Sequence, residues 1–327
     1  MLAKLETLFN GDLGAISSDE SGERWVVIFT HDREPGLTYF YDHSTGESRL
    51  LCRPYPHLDS HALAPKTPVT ITARDGLSLP SYLTLPVDLE PSGLAMVLLV
   101  HGGPWARDCW GYEPNVQLLA NRGYAVLQVN FRGSTGYGKA LVKAAIGEFA
   151  GKMHDDLIDA VGNQGGLRGS RPRRHLRGSY GGYATLVGVT FTPDVFAAAI
   201  DYVGISSLVN FMRTLPATAR PHLANNWHLF VGNPDVPEQE ADMLARSPIT
   251  KVDQIRTPLL VVQGANDSRV VQAESDNLVE ALRTRGVEVE YIVKGDEGHG
   301  FVNDENVIDM YRAVERFLAE HFGGRQS

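Results

Sequence analysis

Residues 94–105 read LAMVLLVHGGPW. The first seven are apolar without a break, and a run that lacks polar alternation is the mark of a strand covered on both faces. Before it stand VTIT (69–72) and LPSYLTLP (79–86); after it come YAVLQVN (124–130), FAAAID (196–201), PLLVVQG (258–264) and VEYIV (289–293). Helical patterns lie between them near 115–122 and 138–161, and another closes the chain over about 304–321. Strand runs alternating with helical spans predict an α/β fold, with a mostly parallel central sheet and helices on both faces. No period of roughly 20–50 residues recurs, so these residues do not encode a complete solenoid or propeller.

The N-terminal part has a different character. RWVVIFT (24–30), LTYFYD (37–42) and ESRLL (47–51) are short β-branched and aromatic runs separated by HDREPG and HSTG, which is turn chemistry. They predict a small three-stranded antiparallel meander, one face of which needs a covering layer. RPYPHLDSHALAPKTP (53–68), with four prolines among polar residues, reads as a linker. The chain therefore divides into residues 1–65, meander and linker, and residues 66–327, the α/β domain.

Composition narrows the function. The 327 residues carry 30 Lys and Arg against 39 Asp and Glu, a net charge of −9. That field repels phosphate backbones and anionic lipid, which argues against nucleic-acid and membrane partners. Cys52 and Cys109 form no CxxC pair and neighbour no histidine cluster, so neither a disulfide framework nor a structural metal is implied. The longest apolar run falls far short of the roughly 20 residues that cross a bilayer. The opening MLAKLETLFNGD lacks the apolar region of a signal peptide. A soluble, cytoplasmic protein is expected.

Three polar residues stand where such a sheet places chemistry, outside the carboxyl ends of strands. Ser179 lies in RGSYGGYATL, where Gly178, Gly181 and Gly182 permit a tight turn into a helix. Asp267 follows PLLVVQGAN, and His299 lies in GDEGHGF after VEYIV. Their order, Ser then Asp then His, is that of α/β-hydrolases. A serine hydroxyl is a weak nucleophile until an imidazole takes its proton, and a carboxylate fixes that imidazole's tautomer. Asp296, three residues before His299, is a rival carboxylate, and Asp267 also reads as a helix cap. HGGPW follows its strand directly, and the N–H groups of Gly103 and Tyr180 are the expected oxyanion hole.

The stretches HGGPWARD, NFRGSTGYGK, GEFAGKMHDDLIDAV, GSYGGYATL, DYVGISSLVNF, QGANDSRV and DEGHGF together resemble the catalytic domain of the prolyl oligopeptidase family of serine peptidases. Within that family they are most similar to its acylaminoacyl-peptidase-like and dipeptidyl-peptidase-like branch. The resemblance covers about residues 66–322. It implies an α/β-hydrolase fold, Ser179 as nucleophile with Asp267 and His299 as its partners, an acyl-enzyme, and cleavage of short peptides without metal or cofactor. Residues 17–65, including TYFYDHSTGESRLL, resemble the last blade of the family's β-propeller. Two departures stand out. Family members carry a complete propeller before the hydrolase domain, whereas about 65 residues precede it here, so the chain reads as truncated and its lone blade as prone to self-association. The second departure is GNQGGLRGSRPRRHLRG (162–178), with five Arg, five Gly and only Leu167 and Leu176 apolar, where an apolar strand is expected. Arg177 occupies a glycine position of the elbow pattern; a compensated reading-frame error would produce so sharply bounded an island, and genuine divergence is the alternative.

For substrate preference, the apolar and aromatic segment 201–232 suggests a pocket for the side chain before the scissile bond, walled by Tyr180, Phe211 and Trp227 and favouring a hydrophobic residue. Simple core packing is the alternative for Phe211 and Trp227. A carboxylesterase-like hydrolase, or a fragment silenced by the 162–178 island, are the alternatives for the whole.

Overall fold

The structure, a computed structural model, describes residues 2–162 and 173–325, with backbone alone for 173–177. The chain builds two sheets. The first is antiparallel, in the order β1 (Asp12–Ser18), β2 (Arg24–His31), β3 (Glu34–Asp42) and β4 (Ser48–Cys52). The expected meander of three strands is thus corrected to four. DLGAISS mixes Gly and Ser with few apolar residues and has little strand propensity of its own; pairing with β2, from Asp12↔Thr30 to Ser18↔Trp25, makes β1 a strand. On β2, Val27 and Phe29 are buried with Tyr41 and Leu5. Val26 and Ile28, on the alternate face, stay 39% and 38% exposed, the period-2 signature of a sheet with one covered face.

The second sheet has eight strands: β5 (Lys66–Thr72), β6 (Ser78–Thr84), β7 (Met96–Leu99), β8 (Ala125–Val129), β9 (Arg173–Gly178), β10 (Phe196–Tyr202), β11 (Leu259–Gly264) and β12 (Glu290–Lys294). Their order is β12-β11-β10-β9-β7-β8-β6-β5. β6 pairs antiparallel with β5 and β8; the other five pairings are parallel. Because β5 begins at Lys66, the linker is shorter than its prolines suggested. Pro68 lies within this edge strand, where its missing N–H is tolerated.

The unbroken apolar run now has its cause. Val97 and Leu99 of β7 pack with Val126, Ile200, Leu260 and Val262 beneath the helices Pro114–Asn121 and Asp304–Phe322. Leu98, between them, joins Leu127 and Val129 against the helices Lys152–Gly162 and Tyr180–Phe191. Each such side chain stabilises the fold by about 1.5–3 kcal/mol on burial.

β9 fills the sheet centre despite its sequence, RRHLRG. Its backbone runs in register with β7 from Met96↔Arg173 to Leu99↔Leu176 and with β10 as far as Tyr202↔Gly178. Ladder hydrogen bonds use main-chain groups, which every residue but proline supplies in full. The remainder of the arginine- and glycine-rich island, 163–172, and the side chain of Arg177 lie outside the described residues.

Gln117, buried in the helix Pro114–Asn121, joins the two sheets. Its Nε2 donates to the carbonyls of Asp32 (3.1 Å) and Ala64 (2.9 Å), while its Oε1 accepts from the Ala64 N–H. Asp32 Oδ2 accepts from the Lys66 N–H at 2.7 Å. Among the described residues no helix is long and apolar enough to cross a membrane.

The loop after β8 is anchored by an ion pair. Asp156, fully buried, accepts from Arg132 N (2.9 Å), Nε (2.8 Å) and Nη2 (2.7 Å). Removing Asp156 leaves the buried Arg132 guanidinium with the partly exposed Asp75 (3.1 Å) as its remaining carboxylate among the described residues. Asp156→Ala should therefore lower unfolding stability by about 3–5 kcal/mol in urea titrations. Arg74→Ala, which breaks a pair with Asp155 and Asp159 on a 53% exposed side chain, should cost about 1 kcal/mol or less.

Candidate active site

β9 ends at Gly178 and the helix Tyr180–Phe191 begins two residues later, leaving Ser179 alone on the turn. Ser179 has φ 63° and ψ −121°, a conformation that costs a non-glycine residue energy and persists only when its surroundings impose it. Here they do: the Ser179 N–H donates to the Tyr202 carbonyl (3.1 Å) and the Ser179 carbonyl accepts from the Tyr183 N–H (3.0 Å). Gly182 is required by close approach, since a Cβ there would lie 2.5 Å from both Asp201 Oδ1 and Gly204 Cα.

Asp267 and His299 sit on the loops after β11 and β12. His299 Nδ1 donates to Asp267 Oδ2 at 2.8 Å. The other carboxylate oxygen, Oδ1, accepts from the N–H groups of Arg269 (2.8 Å) and Val270 (2.9 Å), and the side chain is wholly buried. A carboxylate can only accept, so the imidazole proton lies on Nδ1 and the Nε2 lone pair is free to take a proton. The rival Asp296 turns elsewhere, accepting from Asn303 and Asn306. Among the described residues no hydrogen bond joins His299 to Ser179; in unliganded enzymes such contacts are often long and tighten around the substrate.

Two residues that sequence reasoning missed hold this geometry. Tyr202 accepts the Ser179 N–H on its carbonyl and the Phe301 N–H on its hydroxyl (2.8 Å), so one residue at the end of β10 ties the serine turn to the histidine loop. Buried Glu297 accepts from Val302 N, Asn303 N and Asn306 Nδ2, and its carbonyl accepts from Asn266 N. Neither position carries a signal in sequence, because their roles come from loops distant along the chain.

HGGPW lies against the serine: a Cβ built on Gly102 would sit 3.5 Å from Ser179 Cβ. Gly103, at φ 120°, adopts a backbone that L side chains rarely reach. The three residues expected to wall a pocket share one apolar cluster. Tyr180 is buried, its ring against Phe131, Phe149 and Tyr183. Phe211 meets Trp227 edge-on (4.9 Å), and Trp227 meets Trp105 (4.8 Å), which also contacts Phe230 (5.1 Å). Trp105 is an addition to the expected wall and links it to the HGGPW loop.

Residues 110–325 match the model of the prolyl oligopeptidase family. The chain belongs to that family. It is 46% identical over 336 residues to dipeptidyl aminopeptidase BIII of Pseudoxanthomonas mexicana, covering 99% of this chain and 48% of that protein. It is 36% identical over 343 residues to dipeptidyl peptidase family member 6 of Caenorhabditis elegans, covering 96% of this chain and 46% of that one. A puromycin-hydrolyzing peptidase of Mycobacterium tuberculosis superposes with a TM-score of 0.83 at 28% identity, over 95% of this chain and 47% of its own. The chain thus spans about half the length of the curated relatives it matches.

The floor of the serine turn holds a buried carboxyl group. Asp201 of β10 is fully buried, and among the described residues neither carboxylate oxygen has a well-formed hydrogen bond, although the Gly204 backbone N–H faces it. Burial, with the nearby Glu274 carboxylate, pushes its pKa up to about 7. In the ladder Asp201 stands opposite Arg177. An acid whose folded pKa is raised keeps its proton after the unfolded chain has released its own. Stability is therefore lost as pH rises from about 4 toward 7. Asp201→Asn should stabilise the protein more at pH 8 than at pH 5 in thermal melts; an advantage that shrinks as pH rises would contradict the assignment.

Proposed function

We propose that this chain is a serine peptidase that hydrolyses short peptides through a Ser179–His299–Asp267 relay and an acyl-enzyme, without metal or cofactor. The observation that carries the reading is the 2.8 Å Asp267–His299 hydrogen bond, which in the neutral imidazole puts the proton on Nδ1 and the lone pair on Nε2, beside a serine on a strained turn. The names of the relatives point to peptides as substrates.

In this mechanism His299 Nε2 takes the Ser179 proton as Oγ adds to the scissile carbonyl, and the carbonyl π electrons move onto oxygen. The N–H groups of Gly103 and Tyr180 stabilise that oxyanion. Collapse of the intermediate breaks the C–N bond, and the leaving amine receives the proton from His299. Water, deprotonated by the same Nε2, then releases the acid and restores Ser179. Asp267 stays ionised and holds the imidazole in its working tautomer. The aromatic group of Phe211, Trp227 and Trp105, with Tyr180, takes the apolar side chain before the scissile bond.

The deciding experiment is covalent labelling by a fluorophosphonate, read as intact mass. The folded wild type should take up one label, and Ser179→Ala none; a folded wild type that stays unlabelled sinks the reading. Turnover of a peptide amide should fall by about 10⁴-fold or more in Ser179→Ala and His299→Ala. Amide and matched ester substrates should be turned over with comparable kcat/KM, whereas ester-only turnover makes the chain an esterase. Trp227→Ala should narrow the preference for large over small apolar side chains by about 10-fold in kcat/KM.

A further inference from the structure

The loop that carries His299 runs over residues 295–303, and most of its side chains are engaged. Asp296 accepts from Asn303 and Asn306. Glu297 is buried and accepts from two backbone N–H groups and Asn306, while Phe301 sets its ring edge-on against Tyr202 at 5.2 Å. Gly295, Gly298 and Gly300 carry no side chain. Val302 remains. It is 85% exposed, whereas Leu229, the next most exposed large apolar residue among those described, stands at 50%.

This exposure does not come from a loose backbone. The N–H groups of Phe301, Val302 and Asn303 are held in succession by Tyr202 Oη (2.8 Å), Glu297 Oε2 (2.9 Å) and Glu297 Oε1 (3.0 Å). Nor does Val302 serve the helix Asp304–Phe322. Asn303 is the N-cap of that helix, its side chain accepting from the Glu305 N–H at 3.0 Å. Val302 therefore holds the position before the cap, where an apolar residue often packs on the fourth residue of the helix. That residue is Val307, and 85% exposure leaves little of Val302 to meet it. A fixed backbone thus holds an apolar side chain in water, three residues after the relay histidine.

The chemistry at His299 says what passes this side chain. Nε2 gives its proton to the leaving amine, so the leaving nitrogen comes within roughly 2.6–3.2 Å of it. The side chain of the residue that supplies this amine begins only two bonds away. Three residues of chain span no more than about 11 Å, which keeps Val302 within reach of that side chain. We infer that Val302 is a specificity-determining contact for the residue on the leaving side of the scissile bond, and that it favours an apolar side chain there. Contact between the two removes apolar surface of both from water, whereas a leaving glycine offers Val302 nothing to cover it. This inference rests on the proposed relay at Ser179, and it concerns the side of the scissile bond that the Phe211 and Trp227 group does not serve.

The test reads how the acyl-enzyme partitions between nucleophiles. An ester substrate acylates Ser179, and water or an added amino-acid amide then attacks the acyl carbonyl. As the new C–N bond forms, the amine gives a proton to His299 Nε2; the C–O bond to Ser179 then breaks and Oγ takes that proton. This is acylation by a peptide run backwards, so the entering amine meets the contacts of the leaving one. Relative to water, the wild type should use leucinamide about 10-fold more efficiently than glycinamide. Val302→Ser should cut that ratio to about 2-fold, and Val302→Ile should keep it within about 2-fold of the wild-type value. With peptides that carry leucine or glycine on the leaving side, the ratio of kcat/KM values should fall in Val302→Ser by the same factor.

A Val302→Ser variant with the wild-type ratio of leucinamide to glycinamide overturns the inference, and so does a wild type without preference between them. A merely structural role for Val302 would slow water and both amides alike and leave the ratio where it was. If thermal melts show that Val302→Ser fails to fold, Val302→Thr, which keeps the shape of the side chain, decides: an unchanged ratio overturns the inference. Failure of the relay itself is distinguishable, because the wild type would then take up no fluorophosphonate label and form no acyl-enzyme.

Discussion

Parallel strands end on one edge of their sheet, and the residues that follow them are brought together there whatever their separation in sequence. Ser179 follows β9, Asp267 follows β11 and His299 follows β12. The constraint holds only while β9 lies between β7 and β10, because that placement sets Ser179 beside HGGPW on one side and Tyr202 on the other. The burial of Val97, Leu98 and Leu99 on alternating faces of β7 keeps helices on both sides and the strands in plane.

Polar groups at that edge are buried, and a buried polar group without a partner costs about 1–3 kcal/mol. The fold meets this by giving single side chains several donors. Asp267 takes Arg269 N, Val270 N and His299 Nδ1; Glu297 takes two backbone N–H groups and Asn306; His101 holds a carbonyl with one nitrogen and a hydroxyl with the other. Each acts as a local staple, and rigidity at the site follows from these bonds rather than from its loops. Asp201 departs from this pattern: it lies under the first turn of the helix after Ser179 and, among the described residues, only the Gly204 backbone N–H faces it, without a well-formed bond.

Much of this was legible in sequence for identifiable reasons. Runs such as LAMVLLV and PLLVVQG announce buried strands because burial on both faces removes polar alternation. Asp267 and His299 stood out because each lies on a loop after such a run, and Ser179 because glycines flank it at a turn into a helix. β1 was missed because an edge strand borrows its form from its neighbour. The composition of RRHLRG argued against a central strand, yet its backbone takes that place, since ladder bonds do not depend on side-chain identity. The role of Trp105 is invisible within HGGPW, because its contacts with Trp227 and Phe230 join segments more than a hundred residues apart.

By itself the sequence determined the α/β class and most of the strand runs, and it singled out Ser179, Asp267 and His299 as candidates, since periodicity and local turn chemistry are properties of neighbouring residues. The 2.8 Å bond from His299 to Asp267, the post formed by Tyr202 and the stack from His101 to Tyr180 belong to the tertiary structure alone. Each depends on hydrogen-bond distances and ring separations between segments that meet only after the sheet has formed, and no local pattern of residues encodes them.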